Sequence, residues 1–228
     1  MTGHDPSSEP RSPLELLDAL AAQEVELAPG LTHIEVYTLR GLLTLLWHGT
    51  RDEHDVVVTC GGGMGGMLGP ADALYHRLGV ELAARGIGVV RVGYRKPNDL
   101  GRCMHDVTAT CDLASRRGGR RFVVVGHSFG GAVAVQSGIV LGEHCAGVVL
   151  LATQSAGCEQ ASELGDTPLL LLHGTDDEIL PPETSAVVQM LAGHGEVVLL
   201  PGIGHLLDQA SDEVYDRVLA FLATNLRE

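Results

Sequence analysis

The sequence predicts an α/β protein: a mostly parallel central sheet with helices on both faces, preceded by an antiparallel strand pair. Three observations carry this reading. From residue 55 onward, apolar β-branched runs alternate with segments of helical period. The strand runs are continuously apolar, as strands covered on both faces must be. Thirty glycines in 228 residues cluster at the ends of these runs, which suits tight turns and not a helical bundle.

The elements follow in order. The opening MTGHDPSSEPRSP is polar, rich in Pro and Ser, and has no apolar stretch, so residues 1–13 are expected to be a disordered tail and not a signal peptide. Residues 14–24 read as a short amphipathic helix, with Leu14, Leu17 and Ala21 on one stripe and Leu16 and Leu20 beside it. Pro29-Gly30 closes this N-terminal helix and linker, residues 14–30. Residues 32–39 alternate, Arg40-Gly41 turns the chain, and residues 42–48 return: an antiparallel pair. Residues 55–60 are a buried strand closed by glycines, 71–85 a helix, 87–92 a strand and 99–116 a helix. Then come strand 122–125, helix 130–141, strands 148–151 and 169–172, helix 183–192, strand 197–200 and helix 212–226. Residues 31–228 are expected to form one domain, with no internal repeat.

Composition narrows the function classes. The chain is 45% hydrophobic, ample for a large core, but only 4% aromatic, so that core is built from Leu, Val, Ile and Ala. Fifteen basic against twenty-nine acidic residues give a net charge of −14, which argues against nucleic-acid or anionic-membrane partners. The run RRGGRR at 116–121 is read as a solvated loop between helix and strand. Five cysteines without a Cys-x-x-Cys pair, and no apolar run of membrane-spanning length, point to a reducing cytoplasm. The eleven histidines are scattered with no His-Glu-x-x-His, so no metal and no cofactor is expected.

In sheets of this kind ligands meet the carboxyl ends of the strands. Gly126-His127-Ser128-Phe129-Gly130 fits G-x-S-x-G and falls where a strand, RFVVVGH, passes into a helix, FGGAVAVQSG. The flanking glycines permit a strained turn that exposes the Ser128 hydroxyl as a nucleophile, where the alternative use is a helix N-cap. A serine needs a base, and the base must reach it. His194 precedes its strand and lies at the amino edge; His205 follows that strand and lies at the carboxyl edge, so His205 is the base. The acid should leave a strand at the same edge, where Asp176, Asp177 and Glu178 stand in HGTDDEILP.

GHSFGG, HGTDDEILPP and GIGH, in that order, resemble the α/β-hydrolase superfamily over residues 32–226, and within it a compact, cap-less serine esterase, thioesterase or dienelactone-hydrolase-like member. The family's H-G-x-x-D-x-x-hydrophobic-P, laid on residues 173–181, places the acid at Asp177, with Asp176 the alternative. The oxyanion donors are then backbone N–H groups of Phe129, at the helix start, and of Gly62, with Gly63 or Met64 open because the glycine run is long. Where the family often carries H-G-x-G, Cys60 replaces the His. Met64, Met67 and Leu68 are candidate substrate-pocket residues, with core packing the alternative.

The implied activity is hydrolysis of a small-molecule carboxylic ester or thioester through an acyl-enzyme. Two rivals stand beside it. One is a hydrolase-like protein that binds a ligand without turning it over. The other is an NADP-binding Rossmann-type oxidoreductase, because Gly61-x-Gly63-x-x-Gly66 follows a strand and Arg95 could meet a 2′-phosphate. Only residues 152–168 separate strand 148–151 from the next, too few for a helical cap, so an open groove walled by 60–68, 95–103 and 153–166 is expected. The N-terminal helix is expected to pack on its own domain, with a lid over the groove or a homodimer contact as its other uses.

Overall fold

The computed structural model describes residues 10–226; the expected tail lies outside the described residues up to residue 9. Among the described residues there are nine strands: β1 (Ala19–Ala28), β2 (Leu31–Thr38), β3 (Gly41–His48), β4 (Asp55–Cys60), β5 (Gly88–Gly93), β6 (Arg121–His127), β7 (Cys145–Leu151), β8 (Leu169–Gly174) and β9 (Glu196–Leu200). Five α-helices connect them: α1 (Pro70–Ala83), α2 (Leu100–Ser115), α3 (Phe129–Leu141), α4 (Glu183–Ala192) and α5 (Ser211–Asn225). All nine strands share one sheet in the order β1-β2-β3-β5-β4-β6-β7-β8-β9. β1, β2, β3 and β5 pair antiparallel, and every other pairing is parallel.

The parallel part starts in the middle of the sheet. β4 leads through α1 to β5 on one side, then α2 carries the chain back to β6 on the other. The strand order therefore reverses at β4, and Cys60 at its end is level with Gly126 of β6. Valines make these strands: Val56 and Val58 enter one apolar layer with α2 and α3, while Val57 enters the other with α1 and α5. All three are fully buried, each worth about 1.5–3 kcal/mol of transfer free energy. Among the described residues no helix is long and apolar enough to cross a membrane. Between β7 and β8 lies only a short 3-10 turn, Ala161–Leu164, and no helical cap.

The N-terminal expectation is corrected. Residues 14–24 are not an amphipathic helix; a 3-10 turn, Glu15–Leu17, ends at Asp18 in the left-handed region, and β1 follows. Ala, Leu and Glu favour a helix there, but eleven residues make a marginal helix alone. The open edge of β2 offers a full ladder of backbone partners instead. Leu17 is buried while Leu16 and Leu20, expected beside it, are exposed. Every residue of β1 is exposed, so the ladder and not side-chain burial holds it. Ala19–Ala28 thus join the same sheet as the rest, at the opposite end from β9.

The arginine run is built into the scaffold. Arg116 pairs with Asp112 (3.2 Å) and Glu15 (3.0 Å), Arg117 with Glu24 over the Trp47 ring, and Arg121 donates to the Asn225 carbonyl.

Candidate active site

Ser128 stands between β6 and α3 with φ 56° and ψ −120°, a conformation that costs a non-glycine residue about 1–3 kcal/mol. Two glycines make the turn fit. A Cβ on Gly126 would lie 2.0 Å from the Gly130 carbonyl oxygen, and one on Gly130 would lie 2.4 Å from the Gly61 oxygen. The Ser128 N–H is held by the Leu151 carbonyl at 2.9 Å. Its hydroxyl makes no capping bond to α3, so the N-cap use is not taken up.

His205 follows β9 and is nearly buried. Its Nδ1–H donates to Asp177 Oδ2 at 2.7 Å. The Asp177 side chain is fully buried and fully satisfied. Oδ1 accepts from the Ile179 (2.8 Å) and Leu180 (2.9 Å) N–H groups, and Oδ2 also accepts from His173 Nε2–H at 3.0 Å. Burial alone would raise the Asp177 pKa; the Leu180, His205 and Ile179 donors outweigh it and hold the carboxyl below its usual value. His173 is itself fixed by Ser185, whose hydroxyl lies 2.7 Å from Nδ1. In the sequence His173 opens the stretch that places the acid and reads as a packing or capping residue, so its bond to Asp177 is new; Ser185, a helical serine, carries no motif. Asp176 takes the Thr175 hydroxyl and is exposed. His194 binds the Thr167 and Ala192 carbonyls at the amino edge, away from the other residues of the site.

Ser128 and His205 line one cavity of about 720 Å³ at the carboxyl ends of β4 and β6. Gly62, Met64, Met67 and Leu68 line it too, as do Asn98, Ile179 and Leu206. Asp177 stands behind His205. Among the described residues no hydrogen bond joins the Ser128 hydroxyl to His205. Gly62 lies against the His127 ring and Ser128, and Gly63 lies against Phe129. Met64 is 97% exposed, which removes its core alternative, whereas Met67 is half-buried, its sulfur toward Gly93. Residues 153–166, expected as a wall, do not line the cavity; Ile179 and Leu206 do. The lone isoleucine in an acidic loop was the available signal for the first.

The glycine loop is fastened from below. Tyr75 and Tyr94 hydroxyls donate to the Cys60 (2.8 Å) and Gly61 (3.1 Å) carbonyls, and buried Arg91 donates to the Met67 carbonyl at 3.3 Å. Cys60 is wholly buried, and burial pushes its thiol pKa up. His127, one residue before Ser128, is pulled down to about 4 by burial and donates Nε2–H to the His205 carbonyl.

The dinucleotide reading loses its supports. Gly62 and Gly65 bridge back on each other, and α1 starts through three left-handed residues, Ala71–Ala73, so the glycines do not open onto a helix terminus. The Arg95 side chain is buried against Asp106 and has no reach to a phosphate.

No protein-family model and no curated protein matches the chain. Solved structures do. Dienelactone hydrolase from Anabaena variabilis superposes with TM-score 0.73 over 90% of this chain and 99% of its own, at 14% identity. Est1E from Butyrivibrio proteoclasticus gives 0.71 over 86% and 99%, also at 14% identity. The 2-hydroxy-6-oxo-6-phenylhexa-2,4-dienoate hydrolase of a Rhodococcus species gives 0.61 over 89% and 99%, at 15%. The chain has the α/β-hydrolase fold.

Proposed function

We propose that this protein is a serine hydrolase of carboxylic esters or thioesters. The observation that carries the reading is the 2.7 Å bond to a buried, fully donated Asp177 from His205, which shares a cavity with a strained Ser128. Fold likeness to structures named as hydrolases supports it without deciding it, since one fold hosts many chemistries.

Ser128 Oγ attacks the acyl carbon while its proton passes to His205 Nε2, and the carbonyl π pair moves onto oxygen. The Phe129 and Gly62 N–H groups receive that oxyanion. As the carbonyl re-forms, the C–O or C–S bond breaks and the leaving group takes the proton from His205. Water then repeats the sequence and frees the acid and Ser128. Asp177 holds His205 in the tautomer with Nδ1–H and stabilises its cation. No cofactor enters these steps. Five buried, unpaired cysteines fit a reducing compartment, and the cytoplasm is the proposed location.

The test is covalent labelling by a fluorophosphonate together with turnover of p-nitrophenyl esters. Ser128→Ala is expected to abolish labelling and to lower kcat by about 10³-fold or more. Labelling or full turnover in that variant would end the assignment; absence of both in the parent protein would favour a ligand-binding role.

A further inference from the structure

The cavity beside Ser128 is framed by side chains that water should disfavour. Met64, Leu68, Ile179 and Leu206 are 97%, 60%, 63% and 56% exposed. They come from three separate segments and converge on one opening. None belongs to either buried core, so folding does not account for them. Exposed apolar groups gathered at one opening mark a contact surface.

Charge is absent from the same lining: it contains no Asp, Glu, Lys or Arg. The nearby cations are engaged elsewhere. Arg95 is buried on Asp106, Arg91 lies under the glycine loop on the Met67 carbonyl, and Lys96 and Arg102 both face Asp99 at 3.4 Å. Asp176, Glu178 and Asp208, on the loops that carry Ile179 and Leu206, add negative field at the mouth. The remaining polar side chains in the lining are Ser128, His205, His127 and Asn98. They are enough for one ester group and no more.

We propose that the cleft selects uncharged esters with an apolar acyl chain of medium length, gripped by Met64, Leu68, Ile179 and Leu206, and rejects acyl chains that end in a carboxylate. A carboxylate entering this lining sheds water and meets no donor of opposite charge. Each methylene laid on the collar leaves water. This rests on the serine-hydrolase reading and names its substrate class.

The experiment compares p-nitrophenyl acetate, butyrate and hexanoate with the p-nitrophenyl half-ester of adipic acid, which has hexanoate's length and a terminal carboxylate. Measurements at about 0.1 M and about 1 M salt separate the cleft from the protein's long-range negative field, which salt screens. From acetate to hexanoate, kcat/KM is expected to rise about two- to fourfold per methylene. The adipate half-ester is expected to fall at least about tenfold below hexanoate at both salts. A guanidinium placed on the collar, in Leu68→Arg and Ile179→Arg, is expected to narrow that gap about tenfold in one of the two. A flat or falling chain-length profile, a gap under tenfold at high salt, or a gap unmoved in both variants would overturn the proposal. No turnover of any ester and no fluorophosphonate adduct on Ser128 would instead remove the hydrolase reading beneath it.

Discussion

Asp177 accepts four hydrogen bonds and has no lone pair to spare for a different neighbour. An amide in its place would set an NH₂ against N–H donors and leave His205 Nδ1–H without an acceptor. Asp177→Asn is therefore expected to cut kcat by about 10³–10⁴-fold, while Asp176→Asn, at an exposed carboxylate, leaves the rate nearly unchanged. Steady-state kinetics on the two variants would settle the choice, and the reverse order would move the acid by one residue. Two adjacent aspartates in one loop look alike in sequence; only the spacing to His173 and Pro181 separated them. The bond between His173 and Ser185 could not be found that way. Their contact joins residues twelve apart across a strand end and a helix, and no pattern announces it.

Elements are where the sequence was both most and least legible. Continuous valine runs located β4, β5 and β6, because a strand covered on both faces has one composition and needs no partner to be recognised. β1 failed for the opposite reason: its strand character comes from the β2 edge, and nothing in its own Ala-Leu-Glu composition encodes it. The glycine loop poses a related problem. Arg91 lies beneath it, 3% exposed, with no acid partner among the described residues and its Nε unpaired. Burying a lone guanidinium is unfavourable, so Arg91→Met is expected to leave the melting temperature unchanged or higher. The same change frees the Met67 carbonyl and loosens the loop that carries Gly62, so kcat/KM is expected to fall roughly tenfold. Thermal unfolding and ester kinetics on one preparation check both halves; a large loss of stability would show that Arg91 holds the fold rather than the loop.

On the scale of the whole molecule, acid is the revealing variable. Burial pulls His48 and His127 down to about 4 and lowers His173, so the fold disfavours a proton on each of the three. In the unfolded chain each returns to about 6.5 and takes up protons that the fold refuses. The contribution of His48 and His127 to stability is complete at neutral pH, declines as pH falls from about 6.5 toward 4, and levels off below; His173 adds to the decline in the same direction. Urea unfolding should show this slope, about 1.4 kcal/mol per pH unit for each proton, and His48→Gln should reduce it by one proton. A slope unchanged in that variant would mean that His48 is already charged in the folded protein. Such linkage was hidden in the sequence, where eleven scattered histidines gave no sign of which are buried. The exposed collar has a different reach. Its four side chains come from surface loops, while the two apolar cores and the backbone of the glycine loop carry the architecture. On the proposed reading of the collar, recognition and robustness therefore rest on different residues. Mutations at Met64, Leu68, Ile179 and Leu206 can drift, or be randomised together in a library, with little penalty in folding yield. A lineage carrying this scaffold could change diet by replacing four surface residues and inheriting everything else.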